Sequence, residues 1–131
     1  MNQEQIMQIQ MMEQEANQLN EQLQLIEQNV GELAELKESL KEIDAMEDGK
    51  EILANLGKRI YLPVEVKDKE LIVEVGKGNL VKKNIPETLK VVESQINKLE
   101  DGKVQISNRM EELQAEMVNL ISMLQKEQQK N

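Results

Sequence analysis

Two apolar seams constrain this chain more than any other feature. Ile9, Met12, Ala16, Leu19, Leu23, Ile26, Val30 and Leu33 recur at alternating steps of three and four, the spacing that keeps one stripe of a helix facing a partner. Leu36, Leu40 and Ile43 continue the stripe, with one step of three where four was due, a local stammer. The second seam runs Leu89, Val92, Ile96, Leu99, Lys103, Ile106, Met110, Leu113, Met117, Leu120 and Leu124, and only Lys103 is polar. If the chain reverses between the seams, residue i faces a residue near 132 minus i, and the two patterns agree. Ile43 meets Leu89, Leu40 meets Val92, Leu36 meets Ile96, Leu33 meets Leu99, Leu23 meets Met110 and Met12 meets Leu120. An antiparallel intramolecular coiled coil of roughly 60 Å follows at about 1.5 Å of rise per residue. In that register the stammer falls beside Lys103 and Gly31 faces Gly102, which reads either as a soft point or as two glycines tolerated independently on the surface.

The segment between the seams follows a different period. Ile60, Leu62, Val64 and Val66, then Leu71, Val73 and Val75, alternate with Arg59, Tyr61, Glu65 and Glu74, the two-residue repeat of strands with one buried face. Gly57 and Lys58, then Lys67 to Lys69, then Gly76 to Gly78 punctuate the runs, so four short strands form two consecutive hairpins. About 32 residues bury too little surface to fold alone, and a four-strand meander leaves two unpaired edges for other chains. Pro63, lacking an N–H, is expected at a bulge or corner where pairing to the first strand ends. The fold class is therefore mainly α with a small β segment: a helix over 1–48, an oligomerisation platform of two β-hairpins over 49–84 and a returning helix over 85–131. The platform residues are Ile60, Leu62, Val64, Val66, Leu71, Val73, Val75 and Leu80. Glu47, Asp48 and Gly49 mark the first helix stop, and Asn84, Ile85, Pro86 and Glu87 the second helix start.

Composition narrows the function. With no Cys and no His, the usual parts of transition-metal sites and nucleophile–base pairs are missing, so no enzyme, metal or cofactor is expected. Gly76, Lys77 and Gly78 lack the spacing of a phosphate loop, and Glu111 and Glu112 read as solvated helix faces. Net charge is −10 over residues 1–49, +3 over 50–83 and −2 over 84–131, and the first basic residue is Lys37, which disfavours nucleic acid. No run has the length of a membrane span and no basic leader opens the chain, so a cytoplasmic protein without membrane contact is expected.

Six of the eight Met residues, Met1, Met7, Met11, Met12, Met117 and Met123, lie far from the strands. Ile6, Met7 and Met11, with Val118, Ile121 and Met123, fall off the seams, where two helices cannot cover them. This surplus is either an adaptable grip on apolar chains, for which flexible Met is suited, or a frayed coil end or a contact with a neighbouring subunit. The grip comprises Ile6, Met7, Ile9, Met11, Met12, Met117, Val118, Leu120, Ile121, Met123 and Leu124.

Helix, two hairpins and returning helix together resemble the alpha-class subunit of prefoldin, archaeal type, along the whole chain. The most specific part is Glu51 to Gly57, then Val73 to Gly78, then Val81 and Lys83; four strands point to the alpha rather than the beta class. The chain departs from the class at Asn55, where Pro is usual, and at Asn79 and Leu80, where aromatic residues are usual. The resemblance implies two alpha-type and four beta-type chains joined through a β-barrel, with coil tips holding unfolded polypeptide without ATP and passing it to a group II chaperonin. Two other readings stand beside it: a homo-oligomer or filament built through the same strand edges, and a structural coiled-coil spacer binding one specific partner.

Overall fold

The computed structural model describes residues 2–129; Met1 lies outside them. The chain opens into α1, Gln3–Ala45. The Gln5 N–H donates to Asn2 Oδ1 at 2.8 Å and the Asn2 N–H to Gln5 Oε1 at 3.2 Å, a reciprocal cap that satisfies two otherwise orphaned donors. α1 stops at Ala45. Gly49, with φ of 84°, then turns the chain, and its N–H donates to the Val66 carbonyl at 2.9 Å.

Two hairpins follow. Strands β1 (Glu51–Gly57) and β2 (Ile60–Glu65) pair antiparallel, as do β3 (Glu70–Glu74) and β4 (Leu80–Asn84). Lys58 and Arg59 form the first turn with φ of 49° and 65°, the left-handed pair that matches strand twist in a two-residue loop. Leu56 is left out of register just before it, and the Gly57 N–H donates to Asn55 Oδ1 at 2.8 Å.

Two strand expectations are corrected. Pairing does not end at Pro63, which sits opposite Leu53 while the ladder runs on to Glu51 and Glu65; the irregularity lies at Leu56 instead. A ladder tolerates proline where the nitrogen points away from the partner strand, so Pro63 removes a donor from the outer edge of β2 rather than from the hairpin. Nor do the strands form one meander. β2 and β3 do not pair with each other, and each hairpin is its own two-stranded sheet, leaving four open edges rather than two. The Glu70 N–H bonds Asp68 Oδ1 at 3.2 Å, and Lys69 Nζ donates to the Asp44 carbonyl at 2.8 Å. The linker thus brings a cation to the C-terminal end of α1, whose own last turn has none.

β4 passes directly into α2, Ile85–Gln129. Asn84 ends the strand and caps the helix: the Glu87 N–H donates to its Oδ1 at 2.8 Å, and Thr88 Oγ1 donates to its carbonyl at 2.9 Å. Pro86 stands in the first turn, where a missing N–H costs nothing.

The described chain divides into two compact units, residues 32–96 and residues 2–31 with 97–129. In the first, Leu40, Ile85 and Val92 are buried, with Leu33, Ile43, Leu71, Leu89 and Ile96 packed on them. Leu71 brings the second hairpin onto this core. In the second unit Leu113 and Leu124 are buried, while Ile9, Met12, Leu19, Leu23, Ile26, Ile106, Met110, Met117 and Leu120 are half-buried along the facing stripes. The helices continue through Gly31 and Gly102, and neither is required for space: a Cβ at Gly31 meets nothing within 4 Å, and one at Gly102 meets Ile26 Cδ1 at 3.7 Å.

The first seam departs from its expected path at one position. Leu36 is 44% exposed, and Lys37 is half-buried with its Nζ 3.3 Å from Glu93 of α2. Its alkyl stem covers the seam while the ammonium reaches the rim, so the step of four is kept past Leu33. The step of three falls instead between Leu40 and Ile43, and the expected pairing of Leu36 with Ile96 is replaced by Leu33 and Ile96 sharing one core. Leu36→Ala is therefore expected to cost under about 0.5 kcal/mol, and Leu40→Ala about 2–5 kcal/mol, read from denaturant unfolding. Equal losses would return Leu36 to the seam.

Candidate functional site

Two helices that touch along one stripe leave a valley on either side, and side chains beside the stripe line it. In the unit formed by residues 2–31 and 97–129, one valley opens into a groove of about 740 Å³. Met12, Leu113 and Leu120 come from the seams and Met11 and Met123 from beside them; Gln8, Gln14, Gln18 and Asn119 add amides, and Glu15 and Glu116 carboxylates. Met11 and Met123 are 65% and 61% exposed. The groove is thus apolar in its floor and along part of both sides, and polar elsewhere, without any cationic lining residue among the described residues.

Its two carboxylates share one guanidinium. Arg109 Nε donates to Glu15 Oε1 at 2.8 Å and Nη2 to Glu15 Oε2 at 3.1 Å, a two-pronged bond from α2 to α1. Arg109 Nη1 also donates to Glu112 Oε2 at 3.3 Å and lies 3.7 Å from Glu116 Oε1. The bond from Arg109 holds the Glu15 carboxyl below its ordinary range against a weaker opposing effect of desolvation. The Glu15 and Glu112 bonds in turn raise the Arg109 guanidinium further above its usual range. A second tie between the helices in this unit, Lys103 Nζ to Glu27 at 3.7 Å, makes use of the polar position in the α2 seam.

The eleven residues expected to form a grip fall into three groups. Met11, Met12, Leu120 and Met123 line the groove. Ile6, Met7, Val118 and Ile121 are exposed but line other faces; helical geometry puts Val118 about 140° around α2 from Met123. Ile9 and Met117 are half-buried in the seams, and Leu124 is buried, so Leu124 supplies packing rather than surface. Exposed apolar residues are not confined to this end: Leu25 and Val104 are equally open. Met1 lies outside the described residues. Sequence reasoning missed the amides and the Arg109 cluster. Arg109 followed by Glu112 and Glu116 on one helical face was a readable signal, but the bond to Glu15 depended on the register.

The strand residues show a matching surplus. Ile60, Leu62, Val75 and Leu80 are exposed, while Val64, Val66, Leu71 and Val73 are half-buried. Leu53, Leu56, Tyr61, Ile72 and Val81 are also exposed, so both faces of the hairpins carry uncovered apolar side chains, beyond the one-faced alternation. Among the described residues no group of acidic side chains is arranged to hold a metal ion, and no helix is long and apolar enough to cross a membrane.

This architecture has relatives. The family model described as prefoldin subunit matches residues 12–130. A prefoldin subunit alpha from Archaeoglobus fulgidus is 26% identical over 129 residues, covering 98% of this chain and 94% of that protein. One from Methanopyrus kandleri is 30% identical over 87 residues, covering 66% of this chain and 55% of that protein. A filamentous prefoldin from Methanocaldococcus jannaschii, solved by cryo-EM, has the same fold with a TM-score of 0.75 at 21% identity, covering 88% of this chain and 96% of that one.

The Arg109 tie has a pH signature. A carboxyl held low in the folded state contributes stability that is complete above its unfolded pKa and is lost as pH falls below it. The melting-temperature difference between wild type and Arg109→Gln should be present at pH 7 and shrink as pH drops through about 4, the ordinary glutamate range. A difference that stays constant to pH 3 would show that the ion pair stabilises nothing.

Proposed function

The chain belongs to the prefoldin subunit family, in its archaeal-type alpha class, and on that premise we propose that it is an ATP-independent holdase whose terminal groove takes up unfolded polypeptide. The family is one of chaperones whose subunits assemble into oligomers. The observation that carries the proposal is the pairing of Met11 and Met123, more than half exposed on opposite sides of a groove floored by Leu113 and Leu120. Thioethers on unbranched stems adapt to many shapes, so such a groove can accept apolar segments of varied sequence at moderate strength. That is what a holdase needs, since it must release its cargo intact. Ile6, Met7, Val118 and Ile121 extend the apolar surface on neighbouring faces of the same unit. Delivery to a group II chaperonin, within the cytoplasm, completes the proposal by family resemblance.

The hairpins supply the other half. Their open edges and uncovered Leu62, Ile72 and Leu80 support assembly with beta-class subunits, two alpha chains with four beta, through a shared barrel. The same edges support a second reading, self-assembly, and the filamentous state of the Methanocaldococcus jannaschii relative favours keeping it.

The holding role is tested with Met11→Ser combined with Met123→Ser, both exposed and outside the seams. The variant should keep wild-type helicity and assembly, yet several-fold more of it should be needed to stop a denatured substrate from scattering light. Undiminished protection would remove the groove from the mechanism.

A further inference from the structure

We propose that the groove selects extended segments in which apolar residues stand beside lysine or arginine, an inference that rests on the holding role above. Among the described residues the groove presents Glu15 and Glu116 and no cation. Arg109 is the one positive charge bonded to them, and it meets three carboxylates, Glu15, Glu112 and Glu116, so the cluster keeps two negative charges in excess. The surroundings do not offset this. Residues 2–31 carry five acids and no base, and residues 97–129 six acids and four bases, a net charge of −7 for the unit that holds the groove. A valley between two helices concentrates such a field, because its walls exclude the water that would screen it.

Shape and chemistry fit the same occupant. The long apolar stems of lysine and arginine suit Met11 and Met123, and their charged ends suit Glu116 in the lining and Glu112, which shares Arg109 with it, as such side chains do at apolar surfaces bordered by carboxylates. Gln8, Gln18 and Asn119 each offer an amide donor and acceptor, which suits a main chain of any sequence in extended form. An acidic segment brings equal apolar area but meets like charge, so discrimination arises from repulsion as well as attraction.

The test uses the assembled full-length protein and three labelled, unstructured peptides that share one pattern of leucine and valine and differ only in having Lys, Ser or Glu between them. Anisotropy titrations at low salt should rank them Lys, Ser, Glu, with about a tenfold gap between the extremes that closes at high salt, as screened charge pairs do. Glu112→Gln with Glu116→Gln, which leaves the Arg109–Glu15 tie in place, should narrow the gap to about twofold. Equal binding of all three peptides overturns the charge preference and leaves the apolar grip standing; a gap unchanged in the double variant overturns the assignment to this groove. Binding of none of them overturns the holding role itself.

Discussion

Two short hairpins with no third layer cannot cover their own apolar side chains. β1 with β2 and β3 with β4 form separate sheets; Leu71 is packed on the helical core, while Leu53, Leu62, Ile72 and Leu80 stay open to solvent. Burial of apolar area is the main favourable term in folding and association, roughly 25 cal/mol per Å², and these residues forgo it in a lone chain. The helices enter and leave the hairpin segment at one end, through Ala45 and Ile85, and a charged side chain or an asparagine secures each passage. Lys69 bonds the Asp44 carbonyl beside the short turn through Gly49 that leads from α1 to β1, and Asn84 caps α2 where β4 passes into it without a loop.

Much of this was legible because it depends on period. The three-and-four steps located both helices, and two runs of alternating residues, bounded by turns at Gly57, at Lys67 to Lys69 and at Gly76 to Gly78, located the hairpins. What period cannot register is a side chain with two natures. Lys37 counts as polar in any pattern, yet its stem fills a seam position and its ammonium finds Glu93, so the seam was traced through Leu36 instead. Strand partners were misjudged for a related reason: sequence shows where strands are, and whether β2 meets β3 depends on where the intervening lysines are anchored. The apolar surplus at the helix ends was visible, but its sorting into groove, seam and outer faces needed the rotation of each helix against the other. The amides and the Arg109 cluster escaped notice because glutamine and glutamate fill every exposed face of such helices.

The groove and the seam draw on the same residues, which sets a limit on both. Met12 and Leu120 contribute to packing and to the groove floor, so deeper insertion by the proposed guest would compete with coil packing. Arg109 also ties α1 to α2, through paired bonds to Glu15 that need no apolar surface. An adaptable site beside a polar tie would suit the transient holding proposed above, because an unfolded segment held by a few Met contacts could leave without the helices having to separate.

The need for other chains around the hairpins is measured most directly as absolute mass by multi-angle light scattering, for the chain alone, for the chain with a beta-class subunit, and for Leu62→Asp with Ile72→Asp. A discrete mass well above the monomer in at least one of the first two samples, and a monomer with intact helicity in the variant, are the expected results. A wild-type monomer in both conditions, with its hairpins still formed, is incompatible with strands that depend on neighbours for their cover.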